Sequence, residues 1–191
     1  TIWAYDRCGA SRCVDSDLDP ILHFDTSGRL LGSFGAGLFN VPHGLHVDAD
    51  GHVWVTDHGV DPPNGKGQQV FKFSPRGEVL MTLGRAGVAG VGHYTFNQPS
   101  DVLVAPSGEI FVADGHGPRT NARIVKFAPD GTFIRFWGRH GSGPEELEGP
   151  HALAMDSQGR LFVGDRTNNR IQIFDQEGRL LDSWTQFGRP S

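Results

Sequence analysis

Pro42-His43-Gly44-Leu45-His46-Val47-Asp48 is followed, after a turn ending in Gly51, by Val53-Trp54-Val55-Thr56-Asp57. This pair decides the fold because it is written three times. Pro99-Ser100-Asp101-Val102-Leu103-Val104 leads through Gly108 to Ile110-Phe111-Val112-Ala113-Asp114. Pro150-His151-Ala152-Leu153-Ala154-Met155-Asp156 leads through Gly159 to Leu161-Phe162-Val163-Gly164-Asp165. Each copy then continues through a variable loop to Gln69–Phe73, Arg123–Phe127 or Arg170–Phe174. A second glycine turn, at Gly77, Gly131 or Gly178, precedes Val79–Leu83, Phe133–Trp137 or Leu180–Trp184. Short runs rich in β-branched and aromatic residues, punctuated by glycine, are strands joined by tight turns. A lone meander of four strands cannot bury both of its faces, so the repeats must pack on one another. Radial packing of such sheets around an axis is a β-propeller, and that is the all-β architecture the pattern predicts.

The N-terminus fits the same frame. Ile2-Trp3-Ala4-Tyr5-Asp6 matches the second strand of a repeat, and Pro20–Phe24 and Leu30–Phe34 match the third and fourth. The expectation is a single incomplete propeller domain over residues 1–191, with a partial blade at 1–38 and complete blades at 39–95, 96–146 and 147–191. Propellers carry about four to eight blades. No strand-like stretch follows Trp184 to close a ring, so the chain reads as a fragment of a longer, six-bladed one.

Composition agrees and excludes some partners. Among 191 residues, 27 Gly and 12 Pro suit many short elements and turns. A net charge of −5 argues against a nucleic-acid partner, whose phosphates want a basic face. No apolar run approaches the roughly 20 residues of a membrane span, so no membrane partner is expected. Cys8 and Cys13 are either free thiols or a small-loop disulfide, the latter implying an oxidising compartment. A metal clip is disfavoured, since no second Cys pair or nearby His completes one.

The chain has 9 histidines. His52, His93 and His140 fall in turns or loops, and His23 and His46 in strands, where packing accounts for them. His43 and His151 differ. Both follow a proline at the start of an innermost strand, the point that faces the channel of a propeller, and the blade between them carries Ser100. In a six-bladed ring, alternate blades stand about 120° apart. Three imidazoles so placed converge on the axis, which is a catalytic zinc arrangement. The third is expected beyond Ser191. The competing reading makes Pro-His a strand-entry signature whose ring packs beside the channel.

The phrases Phe39–Asp48, Gly51–Asp57, Gln69–Phe73, Phe96–Val102, Phe111–Gly115, Arg123–Phe127 and Asp165-Arg166 through Asn169–Gln172 resemble NHL-type repeats. Over nearly the whole chain they resemble those of the peptidyl-α-hydroxyglycine α-amidating lyase family. The resemblance implies a six-bladed propeller with zinc held by three histidines, two of them matching His43 and His151. It implies a structural calcium that takes the backbone carbonyl of Leu45, with its carboxylate ligand outside the chain. It implies that Arg7 and Arg166 hold a substrate carboxylate; the alternative for these two is a salt bridge to Asp6 or Asp165. The family's active-site tyrosine is replaced by His116, in an expanded loop from Gly115 to Asn121. His116 is then either the catalytic base or an additional metal ligand.

The function so implied is a zinc-dependent carbon–nitrogen lyase of peptide amidation, splitting an α-hydroxyglycine into an amide and glyoxylate. Its substrate is a peptide or small molecule with a terminal carboxylate, its ring needs no oligomer, and its location is secreted or periplasmic. Two other readings stand beside it. One is a non-catalytic NHL propeller that binds protein. The other is a propeller hydrolase or lactonase, whose channel metal usually adds carboxylates to histidine.

Overall fold

The computed structural model describes residues 1–59 and 65–190. Among them every regular element is a strand. The first sheet is β1 (Ile2–Tyr5), β2 (Ile21–Phe24) and β3 (Leu30–Phe34), in that order. The second is β4 (Pro42–Val47), β5 (Val53–Asp57), β6 (Gln69–Phe73) and β7 (Val79–Gly84). The third is β8 (Pro99–Val104), β9 (Ile110–Asp114), β10 (Arg123–Phe127) and β11 (Phe133–Trp137). The fourth is β12 (Pro150–Met155), β13 (Leu161–Asp165), β14 (Arg170–Phe174) and β15 (Leu180–Trp184). All pairings are antiparallel. As the repeat predicts, the first sheet lacks an inner strand and the other three are complete meanders.

The sheets succeed one another around a common centre. β4 lies against β8, and β8 against β12. The approach is close: a Cβ at Gly44 would stand 2.6 Å from Asp101 Oδ1, so only glycine lets β4 sit beside β8 here.

Each sheet is sealed to the next by an apolar layer. Trp3, Tyr5 and Ile21 meet Phe39, Val53, Val55 and Phe73 between the first two sheets. Trp54, Val70 and Leu83 meet Val102, Val112 and Phe127 between the second and third. Phe111, Ile124 and Leu147 meet Leu161, Val163 and Phe174 between the third and fourth. Full burial of such a side chain contributes about 1.5–3 kcal/mol, so these layers are the main stabilising term. The middle strands β5, β9 and β10 are buried along their whole length, which explains their continuous rather than alternating apolar sequence.

Two recurring devices place the inner strands. The aspartate that ends each second strand is fully buried and grips the chain entering the first. Asp57 accepts the N–H of Val41 at 2.7 Å, Asp114 that of Asn97 at 2.8 Å, and Asp165 that of Glu148 at 2.7 Å. The second device is a β-bulge just after the entry proline. Register shifts between Pro42 and Leu45, between Pro99 and Asp101, and between Pro150 and Ala152. A bulge bends the strand and re-aims the extra residue. The re-aimed positions include His43, Ser100 and His151.

Candidate metal centre

His43 and His151 come together, as the Pro-His pattern predicts, and their ring centroids are 4.9 Å apart. A third imidazole joins them from inside the chain. His116 lies 5.0 Å from His43 and 5.1 Å from His151, centroid to centroid. One ligand nitrogen from each of the three lies within 4.8 Å of the others. The trio forms within the chain itself. His116 reaches it because Gly115 takes φ 140° and its Cα packs against the backbone carbonyl of Asn121, where no Cβ fits.

A fourth imidazole, from His58, completes the cluster. It stacks on His43 at 5.1 Å and meets His116 edge-on at 4.4 Å. It is 5 % exposed, and its Nδ1 has no hydrogen-bond partner among the described residues. The sequence reading passed over His58, though a signal was available. His58 directly follows the strand-ending Asp57, as Arg7 follows Asp6 and Arg166 follows Asp165. Aligning the repeats on that aspartate puts three cleft-lining residues in one column.

Protonation follows from these surroundings. Burial is the largest cause in all four rings, and it disfavours the charged form. His58 is pushed down to about 2, with the neighbouring His116 and His43 adding to the effect. His151 falls to about 3 and His116 to about 4, each helped by His43 and Arg166. His43 is lowered too, against the opposing pull of its bond to Ser100. All four are neutral at pH 7, the state a metal ligand requires. His43 Nδ1 donates to the Ser100 carbonyl at 2.7 Å, which leaves Nε2 with its lone pair. Arg166 Nη1 lies 3.3 Å from His116 Nε2, and a guanidinium only donates, so that nitrogen is the acceptor.

These rings line a cleft of about 590 Å³ together with Arg7, Arg12 and Arg166. Neither Arg7 nor Arg166 is spent on the aspartate beside it. Asp6 accepts the N–H of Gly9, and Asp165 pairs with Arg170 at 2.7 Å. Arg7 Nε instead donates to the Pro42 carbonyl at 2.9 Å, and Arg166 Nε is buried without a partner among the described residues. Cys8 and Cys13 form a disulfide that closes the short loop following Arg7.

The remaining predicted positions lie elsewhere. His23 stacks on Trp3, and His93 on Phe133. His52 pairs with Asp48, and His140 with Glu148. Asp48, Asp50 and His52 also cluster, but Asp48 is engaged by His52 and by Trp54 Nε1, so the group reads as a tight turn. Leu45 packs its side chain into the first apolar layer.

Comparison with known proteins agrees with the repeats. The NHL repeat family model matches residues 39–60 and 147–174. The mouse peptidyl-glycine α-amidating monooxygenase is 43% identical over 165 residues, 82% of this chain and 16% of that one. A probable peptidyl-α-hydroxyglycine α-amidating lyase of Caenorhabditis elegans is 37% identical over 150 residues, 76% of this chain and 40% of that one. Mouse NHL repeat-containing protein 3 is 32% identical over 174 residues, 88% of this chain and 49% of its own. The chain thus spans less than half the length of each. In structure it resembles the virginiamycin B lyase of Staphylococcus aureus, with TM-score 0.59 over 90% of this chain and 49% of that one, at 15% identity. That likeness speaks to the propeller fold alone. In its NHL repeats, and over most of its own length, the chain is thus similar to both amidating enzymes.

Proposed function

We propose that the protein is a zinc-dependent lyase that cleaves an N-acyl-α-hydroxyglycine to an amide and glyoxylate. The observation that carries this reading is the meeting of three neutral imidazoles with two arginines that no carboxylate among the described residues neutralises. The residues fit the metal. His43, His116 and His151 offer an all-nitrogen set, and His43 has its tautomer fixed by a backbone carbonyl, as metal-ligating histidines do. Zinc held there supplies Lewis acidity that lowers the pKa of the substrate hydroxyl.

The chain's own groups do the rest. Arg7 and Arg166 bind the carboxylate through charge-assisted hydrogen bonds and fix the carbinol carbon over the imidazoles. His58, held neutral by burial and packed against His116, closes the site without taking a proton, so the hydroxyl proton would pass to water in the open cleft. The C–O bond becomes a carbonyl, the C–N bond breaks with its electron pair passing to nitrogen, and a proton from water completes the amide. His116, the alternative base, is assigned to the metal because it lies within the three-ring cluster. The calcium reading for the Leu45 carbonyl rests on the resemblance alone, and no step uses it. The disulfide suits an oxidising location, so we place the protein among secreted or periplasmic ones. Similarity to NHL repeat-containing protein 3 favours a second reading, a propeller that binds protein without catalysis.

The test is glyoxylate release from N-acyl-α-hydroxyglycines by zinc-supplied protein. The lyase reading expects release that a chelator abolishes. No release above the chelated control, across several acyl groups, puts the binding propeller ahead.

A further inference from the structure

The cleft holds more positive charge than one carboxylate needs. Arg7 and Arg166 stand beside the imidazoles and act on their charge, as does Arg189 from the C-terminal tail. Arg12 lines the cleft as well. No aspartate or glutamate lines it among the described residues, and none of these four arginines forms an ion pair among them. A bound divalent metal would add to the excess.

Arg12 is held at the rim by construction. It sits in the loop closed by the Cys8–Cys13 disulfide, and both cysteines are buried in the first apolar layer. The N–H of Cys13 donates to the Asn40 carbonyl at 2.8 Å, which ties the loop to the chain entering β4. Residues 9–12 are left exposed on this anchored base. A guanidinium so mounted loses little freedom on meeting an anion. Of the described residues that line the cleft, only Val41 is aliphatic.

We propose that the site is built for a substrate with two anionic groups. The hydroxyglycine carboxylate lies at Arg7 and Arg166, and a second carboxylate, on the acyl part, lies at Arg12. This rests on the lyase reading for the first carboxylate only. The substrate class is then an acidic acyl-hydroxyglycine, such as a peptide with an acidic residue before the hydroxyglycine, or a dicarboxylic monoamide. The disulfide loop is its specificity element.

The test uses two unreactive probes of equal length that lack the hydroxyl, N-butyrylglycine with one charge and N-succinylglycine with two. Binding of each to the full chain is measured by titration calorimetry at low salt. The proposal expects N-succinylglycine to bind about tenfold more tightly or better, a gap that narrows as salt is added. Arg12→Ala removes most of the gap, and Arg12→Glu reverses it. Equal binding of the two probes, no binding of the dianion, or a gap that survives Arg12→Ala overturns the proposal. Glyoxylate release from N-butyryl-α-hydroxyglycine is followed in parallel. A charge preference without glyoxylate sinks the lyase reading and keeps the dianion site, and glyoxylate without the preference does the reverse.

Discussion

His43 Nδ1 stands 2.7 Å from the backbone carbonyl oxygen of Ser100, on the neighbouring blade. The blade that carries serine in place of histidine thus serves the histidines on either side. Its carbonyl takes the His43 proton, and its Oγ donates to the Pro150 carbonyl at 2.5 Å, one residue before His151. The same carbonyl accepts from Thr56 Oγ1 at 3.2 Å, and that oxygen accepts the Gly44 N–H at 2.7 Å. The ligand, its support and the strand bulge are therefore one hydrogen-bonded unit.

Thr56→Val tests that unit. Valine keeps the shape but removes both bonds, leaving the Gly44 N–H unpaired in a buried place. Stability falls by about 1–3 kcal/mol in denaturant melts. Zinc affinity falls about tenfold or more, because the carbonyl that orients His43 loses a partner. Unchanged affinity in a folded variant would show that the orientation does not depend on Thr56.

His58→Gln tests the neutral state of the cluster in metal-free protein. His58 is held at about 2, against 6.5 for an ordinary histidine. As pH falls through 6.5 the unfolded chain takes up a proton and the native state does not, so acid costs stability over this window. Between pH 7 and pH 5 the cost from this residue is on the order of 2 kcal/mol. Asp57 and Asp101, raised by burial to about 6 and about 7, act in the opposite sense and are common to both proteins. The variant loses less stability than the wild type on that shift, and an equal loss would contradict the assignment.

Arg166→Lys separates binding from chemistry. A point charge replaces a planar fork, and the donor facing His116 Nε2 is displaced. KM for an N-acyl-α-hydroxyglycine rises about tenfold or more, with a smaller change in kcat. Arg7→Lys behaves alike and also loses the bond that ties Arg7 to Pro42. An effect on kcat alone, in steady-state kinetics, would remove the arginines from carboxylate binding.

The fold was legible because each strand carries its own period and each turn its glycine. His43 and His151 were legible because a proline marks their place in the repeat. His116 was recognised as a site residue, either base or additional metal ligand, yet its place beside His43 and His151 was not read. The reason is local. His116 stands one position later than Arg7, His58 and Arg166 after its aspartate, and only the unusual φ of Gly115 returns it to the centre. His58 was missed because the loops after the second strands differ in length, which hides the column it shares with the two arginines. The disulfide was one of two open readings, and its pairing rests on loop geometry that spacing alone does not fix.

Zinc stoichiometry tests the central claim most directly. The metal-free chain is dialysed to equilibrium against zinc at pH 7, beside His43→Ala, His116→Ala, His151→Ala and His58→Gln. The account predicts one tightly held zinc in the wild type and in His58→Gln, with affinity lower by about a hundredfold or more in each of the three alanine variants. Zinc retained equally by His116→Ala, or absent from the wild type, would contradict a metal centre built from these three imidazoles.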